Sequence, residues 1–132
     1  MARRRPERSS QKVSSGNQQL RIIGGEWRGR KLNFPEVEGL RPTPDRVRET
    51  LFNWLASYIP GGRCLDLFCG SGALGFEALS RGASHVTMLD NSAVVIRQLR
   101  QNIQDLKTQY AELISESALE WLVEISSIFE VQ

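Results

Sequence analysis

The segment that most constrains this chain runs from Arg63 to Leu79. An apolar run, Arg63–Phe68, is broken only by Asp66 and reads as a buried strand. It leads straight into Gly70-Ser71-Gly72-Ala73-Leu74-Gly75, a G-x-G-x-x-G at the head of a helix expected over Ala73–Leu79. Glycines in a strand-to-helix turn let a ligand approach the backbone at the C-terminal end of a parallel strand. The rest of the chain keeps the same alternation. His85–Leu89 is expected as a second strand and Ser92–Leu106 as a helix with Val95, Leu99, Ile103 and Leu106 on one face. Glu112–Ile114 is a third, weaker strand, Ala118–Ile125 a short helix, and Phe129-Glu130-Val131 the start of a fourth strand. Alternation of this kind predicts an α/β fold, a parallel sheet covered by helices.

Two carboxylates sharpen the ligand. A dinucleotide would set its pyrophosphate on the helix N-terminus. Asp66, four residues before Gly70, would put negative charge beside those phosphates. A carboxylate there suits a cationic ligand such as S-adenosylmethionine, which carries an ammonium and a sulfonium and no phosphate. Asp90, at the end of the second strand, stands near the spacing at which an acid grips a ribose diol. A loop carboxylate and a helix cap are the ordinary readings of Asp66 and Asp90. Their placement at consecutive strand ends favours the ligand.

Upstream, Pro35 to Pro42 reads as a linker. Thr43-Pro44-Asp45 reads as a helix start, with Thr43 as cap and Pro44 in the first helical position. Val47, Leu51, Trp54, Leu55 and Tyr58 follow at helical spacing and predict a buried face, ended by Pro60-Gly61-Gly62. Two short β runs around Gly24-Gly25 read as a hairpin, its second strand carrying Arg28, Arg30 and Lys31 beside Trp27. Basic groups next to an aromatic suit RNA, where phosphates need charge and unstacked bases a flat partner. An ordinary surface hairpin with Trp27 packed on the domain is the competing reading. Residues 1–18, rich in Ser, Gln and Arg, read as a disordered basic tail.

Charge follows the same division. Residues 1–48 hold 12 Lys/Arg and 5 Asp/Glu, and residues 49–132 hold 5 and 10. The basic part is expected to meet a polyanion. No apolar run approaches a membrane span, and no apolar stretch follows Arg3-Arg4-Arg5 as a signal peptide would need. Cys64, Cys69 and a single histidine, His85, do not assemble a zinc site, so two reduced thiols in a cytoplasmic protein are expected. Three functions stay open on these residues: a methyltransferase, a nicotinamide-dependent oxidoreductase, and a non-catalytic RNA-binding remnant.

Asp66-Leu67-Phe68-Cys69-Gly70-Ser71-Gly72-Ala73-Leu74-Gly75-Phe76-Glu77-Ala78-Leu79-Ser80-Arg81-Gly82-Ala83 resembles the cofactor motif of the RsmD-like 16S rRNA (guanine-N2)-methyltransferases. The narrower block Leu40-Arg41-Pro42-Thr43-Pro44-Asp45-Arg46-Val47-Arg48-Glu49-Thr50-Leu51-Phe52-Asn53-Trp54-Leu55 and the hairpin Ile22–Leu32 are similar to that family's other signatures. The resemblance implies the N-terminal part of a Rossmann-like, class I S-adenosylmethionine-dependent fold: a hairpin over 19–36, then the cofactor-binding part over 37–132. It implies that Asp66, Gly70 and Gly72 line the methionine half of the cofactor, Asp90 the ribose, and Asn91 with Ser92 and Ser117 the adenine, with Phe68, Ser71 and Gly75 also in the cofactor site. Ser117 stands where the family often has Asp or Asn. Arg21, Trp27, Arg28, Arg30, Lys31, Arg41 and Arg46 would face RNA, with Arg41-Pro42-Thr43 over either the methionine end or the RNA entrance. The expected partner is small-subunit rRNA or an assembling 30S particle, and the expected state a monomer without metal. The family's Asn/Asp-Pro-Pro-Phe/Tyr motif, which accepts the amino protons of the target guanine, is absent from these 132 residues. No catalytic residue is therefore expected in this chain, and reduced or no turnover from it alone.

Overall fold

The computed structural model describes residues 18–37 and 39–131. The expected tail lies outside them, except that Gln18 already belongs to a strand. Strand β1 (Gln18–Arg21) pairs antiparallel with β2 (Lys31–Phe34) in the register Leu20↔Leu32. Helix α1 (Asp45–Trp54) follows, then β3 (Arg63–Asp66), α2 (Ala73–Ser80), β4 (His85–Asp90), α3 (Ala93–Leu106), β5 (Ala111–Ser115) and α4 (Ala118–Val131). Strands β3, β4 and β5 form one parallel sheet in that order.

The sheet's centre explains its sequence. β4 is paired on both edges, and Val86, Met88 and Leu89 are fully buried. His85 and Thr87 alternate with these and are half-buried, within hydrogen-bond reach of Glu112 on β5. Helix α2 packs on β3 and β4, and α3 on β5 and the hairpin's β2. α3 follows its expected face: Val95, Leu99 and Leu106 are buried and Ile103 half-buried. Its N-terminus is capped by Ser92, whose hydroxyl accepts from the Val95 N–H at 3.3 Å. The Asn102 amide reaches across to the Asn33 carbonyl at 2.9 Å and ties β2 to this helix.

Five expectations are corrected. The hairpin's turn is longer than the Gly-Gly reading: Trp27, Arg28 and Arg30 lie in it, and only Lys31 is in the second strand. Gly25 and Gly29, with φ of +82° and +84°, fold residues 22–30 into successive turns, closed by Arg28 N–H to the Gly25 carbonyl and Arg30 N–H to the Trp27 carbonyl. Thr43 is not the cap of α1: Pro44 occupies that position, without a side-chain cap bond. α1 also ends at Trp54, and turns carry the chain on to Pro60.

The buried face of α1 differs as well. Leu51 and Leu55 pack half-buried against the core as expected, but Val47, Trp54 and Tyr58 are 52%, 76% and 74% exposed, and Arg48 and Phe52 are buried. Inside, Arg48 meets a buried carboxylate, Glu77 of α2, at 3.2 Å, a partner that apolar spacing does not reveal. Finally, residues 129–131 continue α4 and form no fourth strand. No Gly or Pro interrupts 118–131, and three residues, Phe129-Glu130-Val131, are too few to tell the period of a strand from that of a helix.

Candidate functional site

β3 and β4 lie side by side in parallel and end at Asp66 and Asp90. The chain leaves β3 through a tight turn, in which Cys69 N–H donates to the Leu89 carbonyl at 3.0 Å and Gly72 N–H to the Cys69 carbonyl at 2.7 Å. Gly70 (φ +47°) and Gly72 (φ +84°) take backbone conformations that favour glycine. Asp90 binds this turn directly. Its Oδ2 accepts from Gly70 N–H at 3.1 Å and its Oδ1 from Ser92 N–H at 2.9 Å, so one carboxylate orders both the glycine turn and the start of α3.

A cavity of about 250 Å³ lies against the turn. Asp66, Phe68, Gly70, Ser71 and Asp90 line one side, and Leu40, Arg41 and Thr43 the other. A smaller cavity of about 80 Å³ follows, bordered by Phe68, Asp90, Asn91, Glu116 and Ser117. Phe68 and Asp90 border both, so the two cavities adjoin at the end of β4. Ser117 also caps the last helix, accepting from Glu120 N–H at 3.1 Å.

Asp66 is the unusual group. Its Oδ2 is buried and has no hydrogen-bond partner. Burial pushes its carboxyl above the ordinary carboxylate range, the Phe68 and Gly75 amides pull it back, and the charge of Asp90 pushes it up again. Burial, with the nearby charges of Asp66 and Asp90, also drives the Cys69 thiol well above its usual range. Burial raises Cys64 too. Both cysteines are free, and neither is poised as a thiolate.

Two of the glycines expected at the ligand line neither cavity. A Cβ on Gly72 would stand 2.5 Å from the Phe76 ring, and one on Gly75 2.4 Å from the Met88 sulfur. Both permit close packing of α2, which sets the turn indirectly. Arg41 and Thr43, of the segment expected over the methionine end or the RNA entrance, wall the cavity that holds Asp66, and Leu40 beside them carries no sequence signal beyond its place in the Leu40–Leu55 block.

The expected RNA residues divide. Arg28, Arg30, Lys31 and Arg46 are exposed. Arg21 is exposed and pairs with Asp45 at 3.4 Å. Arg41 borders the 250 Å³ cavity. Trp27 is half-buried against the core, as the ordinary-hairpin reading had it, and its N–H donates to the Ser80 hydroxyl at 2.9 Å. Among the described residues there is no helix long and apolar enough to cross a membrane, and no cluster of three or more His, Cys, Asp or Glu side chains able to hold a metal.

A parallel sheet, a glycine turn after its first strand and acids at two successive strand ends define the N-terminal part of a Rossmann-like methyltransferase fold. Solved structures share it. A methyltransferase from Escherichia coli matches with a TM-score of 0.74 at 50% identity, over 80% of this chain and 56% of that one. A methylase from Haemophilus influenzae matches with a TM-score of 0.65 at 51% identity, over 80% and 56%. The chain belongs to the family described as Conserved hypothetical protein 95, which it matches over residues 20–130. Ribosomal RNA small subunit methyltransferase D of Escherichia coli is 54% identical over 110 residues, covering 83% of this chain and 56% of that protein. Its namesake from Haemophilus influenzae is 57% identical over 106 residues, covering 79% and 55%. The chain thus spans just over half the length of the curated relatives it matches.

Proposed function

We propose that this chain is the cofactor-binding and RNA-facing part of a methyltransferase that modifies the exocyclic N2 of a guanine in small-subunit rRNA, in the cytoplasm. The observation that carries the cofactor is the buried, unpartnered Oδ2 of Asp66 beside a second carboxylate, Asp90, at one cavity. Among the described residues neither acid forms a salt bridge, with Arg41 or any other cation, and two unpaired acids are costly when partly desolvated. A ligand bringing an ammonium and no phosphate relieves that cost, and a dinucleotide pyrophosphate adds to it. S-adenosylmethionine fits: Asp66 would take the ammonium, the Gly70 turn the methionine backbone, Asp90 the ribose, and Asn91 with Ser117 the adenine in the smaller cavity. Bound there, it supplies an electrophilic methyl group on sulfur.

The protein's own part is to bind and orient. Asp90 keeps the Gly70 amide fixed, and Leu40, Arg41 and Thr43 shield the cavity from bulk water. Exposed Arg28, Arg30, Lys31 and Arg46 would meet RNA phosphates. Residues that orient a guanine amine are those of the Asn/Asp-Pro-Pro-Phe/Tyr motif, which these 132 residues do not contain. The chain by itself is therefore proposed to bind, as a monomer, and to lack full activity. Calorimetry with S-adenosylmethionine and with NAD tests the reading. Binding of the first alone supports it; binding of NAD alone, or methylation of rRNA by these 132 residues at full rate, refutes it.

A further inference from the structure

Glu77 is fully buried in α2, one turn before that helix ends, and its carboxylate accepts from four donors. Oε1 takes the Ile23 N–H at 3.0 Å and an Arg48 N–H at 3.2 Å. Oε2 takes the Gly24 N–H at 2.9 Å and the Arg81 Nε–H at 2.8 Å. Arg48, equally buried, divides its remaining donors: Nε–H to the Thr43 carbonyl at 3.0 Å, a terminal N–H to the Arg21 carbonyl at 2.9 Å, and Nη2 to the Asp45 carboxylate at the start of its own helix. Thr43 walls the 250 Å³ cavity, and Arg21 and Ile23 lead into the basic turn of the hairpin. The opposite end of α2 begins at Gly72, five residues and so about 7.5 Å of helix rise from Glu77.

A surface hairpin needs no such anchor. Two ions removed from water cost more than a well-packed apolar pair, and are best attested where they fix a register. Here they fix the hairpin against the cavity wall. We infer that Glu77 and Arg48 are positioning residues: they hold the basic hairpin turn and the Leu40–Thr43 wall in one frame, so that RNA on the first and cofactor behind the second are bound in a defined relation. The inference rests on the cofactor reading above. It makes the two sites energetically coupled, and by linkage the coupling is reciprocal.

Amide exchange by NMR on the 132-residue chain decides it. In Glu77→Gln, exchange at Ile23, Gly24 and Leu40, whose N–H donates to the Val37 carbonyl, accelerates together by about tenfold or more, while Val86 in the sheet is unchanged. Ser80→Ala frees the Trp27 amide and leaves Leu40 alone, because Ser80 holds the hairpin without touching Arg48. Arg48→Lys, which keeps a charge beside Glu77 but lacks the planar fork, releases Leu40 as Glu77→Gln does. Unchanged exchange at Leu40 in both Glu77→Gln and Arg48→Lys, or acceleration of Val86 to the same degree, overturns the inference. Adding S-adenosylmethionine to the unaltered chain gives a second arm. Slower exchange at Gly70 together with Ile23 and Gly24 supports the coupling, and slowing at Gly70 alone overturns it. No effect at Gly70 refutes the cofactor site instead, leaving the variants to decide the clasp.

Discussion

Replacing Asp66 with Asn should make the free protein more stable and a poorer binder. The carboxylate is pushed up by burial first, is only partly relieved by the Phe68 and Gly75 amides, and feels Asp90 besides. In the folded chain Asp66 therefore holds its proton to a higher pH than in the unfolded chain. Where the folded state binds more protons, stability falls as pH rises. The fall begins at the ordinary carboxylate range, continues to the raised folded value, and is complete above it. Asn keeps the shape and removes the charge, so the slope disappears. Thermal unfolding of the two chains from pH 3.5 to pH 8, an interval of about the width a shifted carboxylate requires, should show little difference at the acid end. A growing advantage for Asp66→Asn should follow above it. Affinity moves the other way. A charge-assisted hydrogen bond to the ligand's ammonium is worth about 1.5–3 kcal/mol, hence a loss of roughly 10- to 100-fold in binding of S-adenosylmethionine by calorimetry. A variant that melts below the parent at neutral pH would show that Asp66 is satisfied in the free protein. Undiminished affinity would remove it from the site.

The buried ion cluster predicts that a hydrophobic swap does not rescue. Arg48→Met leaves Glu77 to Arg81 and two amides and should cost about 3 kcal/mol in urea unfolding, and adding Glu77→Leu, which strands Arg81 and the Ile23 and Gly24 amides, should recover little of it. Two glycines of the hairpin turn separate contact from conformation. Both have positive φ, but a Cβ on Gly25 would lie 2.0 Å from the Ser80 carbonyl oxygen and one on Gly29 meets nothing. Gly29→Ala should therefore cost about 1–3 kcal/mol of backbone strain and Gly25→Ala clearly more, and equal costs would contradict the packing of the turn on α2. For RNA, Arg28→Ala and Arg30→Ala should each weaken binding to a single-stranded oligonucleotide and lower the magnitude of the salt slope by about 0.7. A slope indifferent to both would take the hairpin out of the interface.

The parts legible from the residues alone were those written in local period. The parallel alternation, the face of α3 and the acids at the ends of β3 and β4 follow from runs of a few residues, and the structure places them there. What escaped was set by partners far away in the chain. The apolar spacing of Val47, Trp54 and Tyr58 is real, yet α1 presents Arg48 and Phe52 inward because Glu77, 29 positions on, needs a cation. The hairpin turn is long because Gly25 must pass the Ser80 carbonyl, 55 positions on, without a Cβ between them. Both corrections converge on α2, and α2 did carry a signal. Ala73–Ser80 holds one charged residue, Glu77, among apolar and small ones, so the helix has no polar stripe on which its carboxylate could sit. A carboxylate there demands buried donors, and Arg48, Arg81 and the Ile23 and Gly24 amides supply them. Glu77 thus draws α1 and the hairpin to one point of α2, and Arg48 carries the contact on to Thr43 at the wall of the cavity.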